Sequence, residues 1–191
     1  MNSKVFTIPN IISMLRIVMI PIFVYFYFAA KLEWHYVAAL GVLLLSGLSD
    51  IVDGFIARRF NLISDVGKVL DPIADKLTQA VILLCLLFKH NYLMPMFIVL
   101  FVKELLTLFA ATIILRNGIK PISSKWFGKL STVIIYITMF YVIVCDFCEP
   151  KIVLPDFIGN ILAFAAIICM IVAMLGYIKI FLLPKQTPSK N

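Results

Sequence analysis

Charge is what this sequence has least of. Charged residues make up 14% of its 191 residues, against about 25% in an average soluble domain. Hydrophobic residues supply 63%, and the mean hydropathy is +1.06. A water-soluble fold of this size could not hide that much apolar surface, so the bilayer is the expected solvent. A second, polar domain is missing, as are internal repeats and low-complexity runs, which leaves one compact transmembrane unit over residues 1–184. The segment 185–191 reads as a short flexible tail. Cysteine is sparse. Cys145 and Cys148 form a lone C-x-x-C, with no second pair to build a zinc or redox centre. Both are expected to pack as small hydrophobes.

Six apolar stretches are long enough to cross a bilayer, which takes about 20 residues each. They are Asn10–Ala30, His35–Arg58, Gly67–Phe88, Met94–Leu115, Trp126–Asp146 and Phe157–Leu183. Asn10 is placed to cap the first helix. The first stretch is too long for a signal peptide and contains Arg16, so it reads as a retained span. Short loops hold most of the basic residues. Lys4, Arg58, Arg59, Lys68, Arg116, Lys120, Lys125, Lys185 and Lys190 fall on one side. Only Lys31, Lys89 and Lys151 fall on the other, so both termini are expected in the cytoplasm. The net charge of +7 therefore reports orientation and contact with anionic lipid rather than nucleic acid.

Acids are the scarcest charge, ten in all, yet five lie between residues 50 and 75. An unpaired acid in mid-membrane costs about 2.5–3.5 kcal/mol on the insertion scale, and clustered acids also repel one another. Something cationic must offset them. Asp50 and Asp53 are spaced i, i+3 and share a helical face, as do Asp71 and Asp75 at i, i+4. Two antiparallel helices joined by a short loop would bring the faces together. An all-carboxylate ligand set selects hard cations, Mg²⁺ or Mn²⁺. Four carboxylates exceed what one Mg²⁺ takes from protein, so two ions are expected, an arrangement suited to phosphoryl chemistry. Gly54, Ala57 and Gly67 keep the acidic faces small, for close helix packing or ligand approach. Arg58 suits bidentate phosphate contact, or simply anchors the helix end at the interface.

Written out, the segment is Asp50-x2-Asp53-Gly54-x2-Ala57-Arg58-x8-Gly67-x3-Asp71-x3-Asp75. It resembles the signature of the CDP-alcohol phosphatidyltransferase family at every fixed position. The resemblance implies an all-α integral membrane fold, six transmembrane helices around a cytoplasm-facing polar cavity, and a homodimer. It implies that Asp50, Asp53, Asp71 and Asp75 hold the metal ions and that Asp75 is also the general base. Gly54, Ala57, Arg58 and Gly67, with Ser64 in the loop, match the part of the signature that meets CDP-diacylglycerol. Asn10 and Ser13 resemble a further nucleotide-lipid contact. A bacterial plasma (inner) membrane is the expected location.

Two other stretches bear on the acceptor. Ile8-Pro9-Asn10-Ile11-Ile12-Ser13-Met14-Leu15-Arg16-Ile17 resembles the opening of family members that use glycerol 3-phosphate. Lys125-Trp126-Phe127-Gly128-Lys129-Leu130-Ser131-Thr132 resembles their Gly-Lys-x-Lys-Thr element, departing from it at Ser131. Arg116, Lys125 and Lys129 could together hold the acceptor's phosphate. The alternatives are another acceptor, phosphatidylglycerol or inositol phosphate, and more distantly a divalent-cation transporter, which would spread acids through several depths. Lys103–Glu104 stands inside the fourth span, where a charge points to a functional or interface role; the two side chains point about 100° apart and need not pair with one another. His35 and His90 fall on the side away from the acids and are expected to be interfacial.

Overall fold

The computed structural model describes residues 8–29, 32–60, 67–116, 126–148 and 156–182, with side chains over 11–29, 32–49, 52, 73–109, 128–148 and 157–176. Helices account for the architecture: α1 (Ile8–Phe28), α2 (Glu33–Phe60), α3 (Gly67–Leu87), α4 (Met94–Arg116), α5 (Trp126–Cys148) and α6 (Asp156–Leu182). A single 3₁₀ turn, Asn91–Leu93, leads into α4. No strand occurs among the described residues.

The six expected stretches each become one helix, with shifted ends. α1 is described from Ile8, so Asn10 lies inside it and does not cap it. Pro9 suits a place near a helix start, because it lacks the N–H that a first helical turn leaves unbonded anyway. Pro95 takes the same place in α4. α2 runs past its expected ends to 28 residues.

Among the described residues, four helices are long and apolar enough to cross a membrane, through Ile11–Phe28, Asn91–Phe109, Gly128–Cys148 and Phe157–Gly176. The protein is a multi-pass membrane protein on that ground. α2, with 28 residues, and α3, with 21, have the length to span as well, since about 20 residues at 1.5 Å each cover the hydrocarbon.

α1 packs on α2 and on α3, and α5 also packs on both. The four helices thus form a closed ring, with the two acid-bearing helices each flanked by α1 and α5. α6 lies against α5 and α4, and α4 against α3. The core runs through Phe23 and Tyr27 of α1, Leu43 of α2, Ile82, Leu83 and Leu86 of α3, and Ile135, Met139 and Ile143 of α5, all almost fully buried. α6 contributes Ala163, Ala166, Met170 and Ala173 on one buried stripe. Small residues at helical spacing let helix backbones approach without a hydrophobic drive between them. Exposed apolar side chains form the opposite stripes. On α4 these are Phe101, Leu105, Leu108 and Phe109, which lipid would cover.

A second polar centre closes the end of the bundle remote from the acidic signature. The Tyr27 hydroxyl donates to Asp146 Oδ2 at 2.7 Å. His90 Nε2 lies 2.8 Å from Asp146 Oδ1, and Lys89 Nζ lies 3.7 Å from Oδ2. Lys89 also donates to the Tyr36 hydroxyl at 3.1 Å, and its ammonium stands 4.3 Å from the centre of the Tyr27 ring. One buried carboxylate therefore joins α1 and α5 to the turn after α3, and Lys89 extends the tie to α2. His90 is not merely interfacial, as its place in a loop had implied; it is a partner of Asp146. His35 is buried, stacked on Trp34 with ring centres 4.0 Å apart.

Candidate active site

Helix geometry carries the signature. Asp50, Asp53, Gly54, Ala57 and Arg58 all lie within α2, and Gly67, Asp71 and Asp75 within α3. The spacings i, i+3 and i, i+4 are therefore true helical spacings, and each pair shares one face of its helix. Of the four acids, only Asp75 falls among the described side chains. The meeting of all four carboxylates in one pocket thus lies outside the described residues, as do Ser64, Lys125 and the side chains of Asn10, Gly54, Ala57, Arg58, Gly67 and Arg116. Among the described residues, no three His, Cys, Asp or Glu converge as a metal site.

Asp75 is half-buried. One turn further along α3, Gln79 is 3% exposed, and its Nε2 lies 3.3 Å from both Oδ1 and Oδ2 of Asp75. A single amide thus bridges both oxygens of the carboxylate. Thr78, alongside, returns its hydroxyl to the Ala74 carbonyl at 2.8 Å.

The residue after Asp75 makes the main tie from α3 to α4. Lys76 Nζ forms an ion pair with Glu104 Oε2, while Lys103 Nζ lies 3.0 Å from Glu104 Oε1. Lys103 and Glu104 do pair, although neighbouring positions point about 100° apart; the long lysine stem reaches round. Lys76 was not legible as their third member. The available signal was a base next to the last acid of the signature, inside a segment that has to enter the membrane.

Of the other expected site residues, Ser13 and Lys129 have described side chains. Ser13 is 1% exposed on the face of α1 that also buries Arg16. Lys129, in the first turn of α5, is exposed. Ser131 is fully buried and donates to the Gly128 carbonyl at 2.8 Å. A lysine at that position, as the glycerol 3-phosphate pattern has it, would be an additional buried cation; here a hydroxyl satisfied within its own helix replaces it. Cys145 and Cys148 form no disulfide and are partly buried.

The sequence profile of the CDP-alcohol phosphatidyltransferase family matches residues 6–178. The chain belongs to that family. It is 36% identical over 137 residues to the CMP-forming cardiolipin synthase of Streptomyces coelicolor, covering 69% of this chain and 62% of that one. To the CDP-diacylglycerol–glycerol-3-phosphate 3-phosphatidyltransferase of Pseudomonas fluorescens it is 37% identical over 123 residues, 64% of this chain and 57% of that one. A protein of the same name from Aquifex aeolicus is 27% identical over 172 residues, 89% of this chain and 93% of that one. The matches thus span less than two thirds of the first two relatives and nearly all of the third.

Proposed function

We propose that the chain transfers the phosphatidyl group of CDP-diacylglycerol to sn-glycerol 3-phosphate, releasing CMP and forming phosphatidylglycerophosphate. The carrying observation is the helical placement of Asp50, Asp53, Asp71 and Asp75 on α2 and α3 in a chain of this family. The acceptor reading is supported by the Pseudomonas and Aquifex relatives and by the resemblance at residues 8–17 and 125–132.

An all-carboxylate donor set fits two Mg²⁺ or Mn²⁺ ions. When bound, such ions neutralise the diphosphate of the CDP-lipid and the charge left on departing CMP. Asp50, Asp53, Asp71 and Asp75 hold them. Arg58 adds a permanent cation for the same phosphates, and Asn10, Ser13, Gly54, Ala57, Ser64 and Gly67 seat the CDP group. Asp75 accepts the proton of the acceptor hydroxyl, as a base within hydrogen-bond reach can. That oxygen forms its bond to the phosphorus bearing diacylglycerol, the bond from this phosphorus to the CMP oxygen breaks, and CMP leaves with the electron pair. Positioning and electrostatics supply most of the rate in such a displacement. Arg116, Lys125 and Lys129 hold the acceptor's phosphate.

All six helices cross the membrane in this reading. Both termini and the acidic cavity face the cytoplasm of a bacterial cell, and the chain works as a homodimer. The second reading, with phosphatidylglycerol as acceptor, is favoured by the Streptomyces relative. The deciding experiment offers the purified chain CDP-diacylglycerol and Mg²⁺ with labelled glycerol 3-phosphate, phosphatidylglycerol, inositol phosphate or serine in separate reactions. The proposal requires labelled lipid and CMP from glycerol 3-phosphate above all others. Product from phosphatidylglycerol alone would transfer the assignment to the second reading.

A further inference from the structure

Glu104 lies midway along α4 and both of its carboxylate oxygens meet cations, Lys76 of α3 at Oε2 and Lys103 of its own helix at Oε1. The Glu104 and Lys103 side chains are 19% and 10% exposed. Three charges at this depth are a poor way to stabilise a helix pair. Desolvation offsets most of what a buried ion pair gains, and apolar residues of the same volume often do as well or better. An ionisable group inside a membrane segment therefore points to function before packing.

Position says which function. Lys76 directly follows Asp75 in α3. Adjacent helical residues diverge by about 100°, so Lys76 reaches sideways to α4 while Asp75 keeps its own face. The same short stretch of α3 is held a second time, where Gln79 bridges both Asp75 oxygens. One hold acts on the carboxylate, the other on the helix that carries it.

We propose that Glu104 is a positioning residue for the transfer reaction: by gripping Lys76 from α4, it sets the rotation and depth of the α3 turn that presents Asp75. The inference rests on the proposed role of Asp75. Glu104 itself touches no substrate. Lys103 holds the second oxygen, so the glutamate keeps a single orientation when it engages Lys76. An error of about 1 Å in the placement of a reacting group can cost on the order of 100-fold in rate.

The test uses the purified full chain, with CMP release from CDP-diacylglycerol and glycerol 3-phosphate as the readout. Glu104→Gln keeps the shape and removes the charge. It is expected to lower kcat about 10- to 100-fold while the KM for CDP-diacylglycerol stays within about threefold. The charge swap Lys76→Glu with Glu104→Lys is expected to recover most of that kcat, because the carboxylate now on α3 faces the ammonium now on α4 together with Lys103. A general packing role would not produce this split, nor recovery by the swap. If Glu104→Gln does not fold, Lys76→Gln removes the same contact from the other side and is judged by the same criteria. Unchanged kcat in the single variant, a loss through KM alone, or a swap that regains thermal stability without regaining kcat would overturn the proposal. A wild-type chain that releases no CMP would overturn the proposed function and this inference together; an active wild type with an indifferent Glu104→Gln overturns the inference alone.

Discussion

Gln79 Nε2 stands 3.3 Å from each oxygen of Asp75, one helical turn away. A buried amide in this position limits rotation of the carboxylate. Gln79→Leu keeps the volume and removes the donor. The expected result is a fall in kcat of about tenfold with little change in the KM of either substrate, the pattern of a contact that matters only in the transition state. Steady-state kinetics with each substrate varied in turn checks it. Loss through KM alone would show that Gln79 serves substrate binding instead.

Lys129 is exposed in the first turn of α5, within reach of solvent from which a charged acceptor arrives. Lys129→Ala is expected to raise the KM for glycerol 3-phosphate about tenfold, the value of one charge-assisted contact, and to leave the KM for CDP-diacylglycerol unchanged. An equal rise in both constants would remove Lys129 from the acceptor site.

Asp146, at the other end of the bundle, is 7% exposed and meets Tyr27, His90 and Lys89. Removing the carboxylate leaves the buried Tyr27 hydroxyl without its acceptor, which costs about 1–3 kcal/mol. Asp146→Leu is expected to lower the melting temperature in detergent sharply, while turnover per folded molecule well below the melt stays close to wild type. A variant as stable as wild type would show that the outer cluster is not a fastening.

Gly159 of α6 lies against Tyr92. A Cβ at Gly159 would fall 2.7 Å from the Tyr92 hydroxyl oxygen and 3.3 Å from Cζ, closer than atoms pack. Gly159→Ala is expected to cost about 1–3 kcal/mol, as overpacking does. Pairing it with Tyr92→Phe, which removes the nearest atom, is expected to recover part of that loss. Thermal melts of the two single variants and the double variant give the coupling directly.

The acidic spacing was legible because a helix repeats every 3.6 residues: Asp50/Asp53 and Asp71/Asp75 could share faces only if α2 and α3 were helical, and they are. The six stretches were legible because apolar length alone marks them. Helix ends were less so. Asn10 lies inside α1 rather than at its cap, since proline at position 9 fits a first turn as readily as the residue after it fits a cap. What could not be read were pairings across helices. The sequence separation of Lys76 from Glu104, or of Tyr27 from Asp146, carries no period, and only the packing of α3 on α4, and of α1 and α5 on the same two helices, joins them. Lys103 and Glu104 illustrate the limit from the other direction: helical angles set them apart, and a flexible stem brought them together at 3.0 Å.

The central claim is metal-dependent transfer with Asp75 as the base, and CMP release tests it most directly. Wild type and Asp75→Asn are compared side by side with CDP-diacylglycerol, with and without glycerol 3-phosphate. The account predicts that wild type releases CMP only when the acceptor is present, stops with EDTA and recovers with Mg²⁺ or Mn²⁺, while Asp75→Asn still binds the CDP-lipid but releases none. Normal CMP release by Asp75→Asn, or release by wild type that EDTA does not affect, would contradict it.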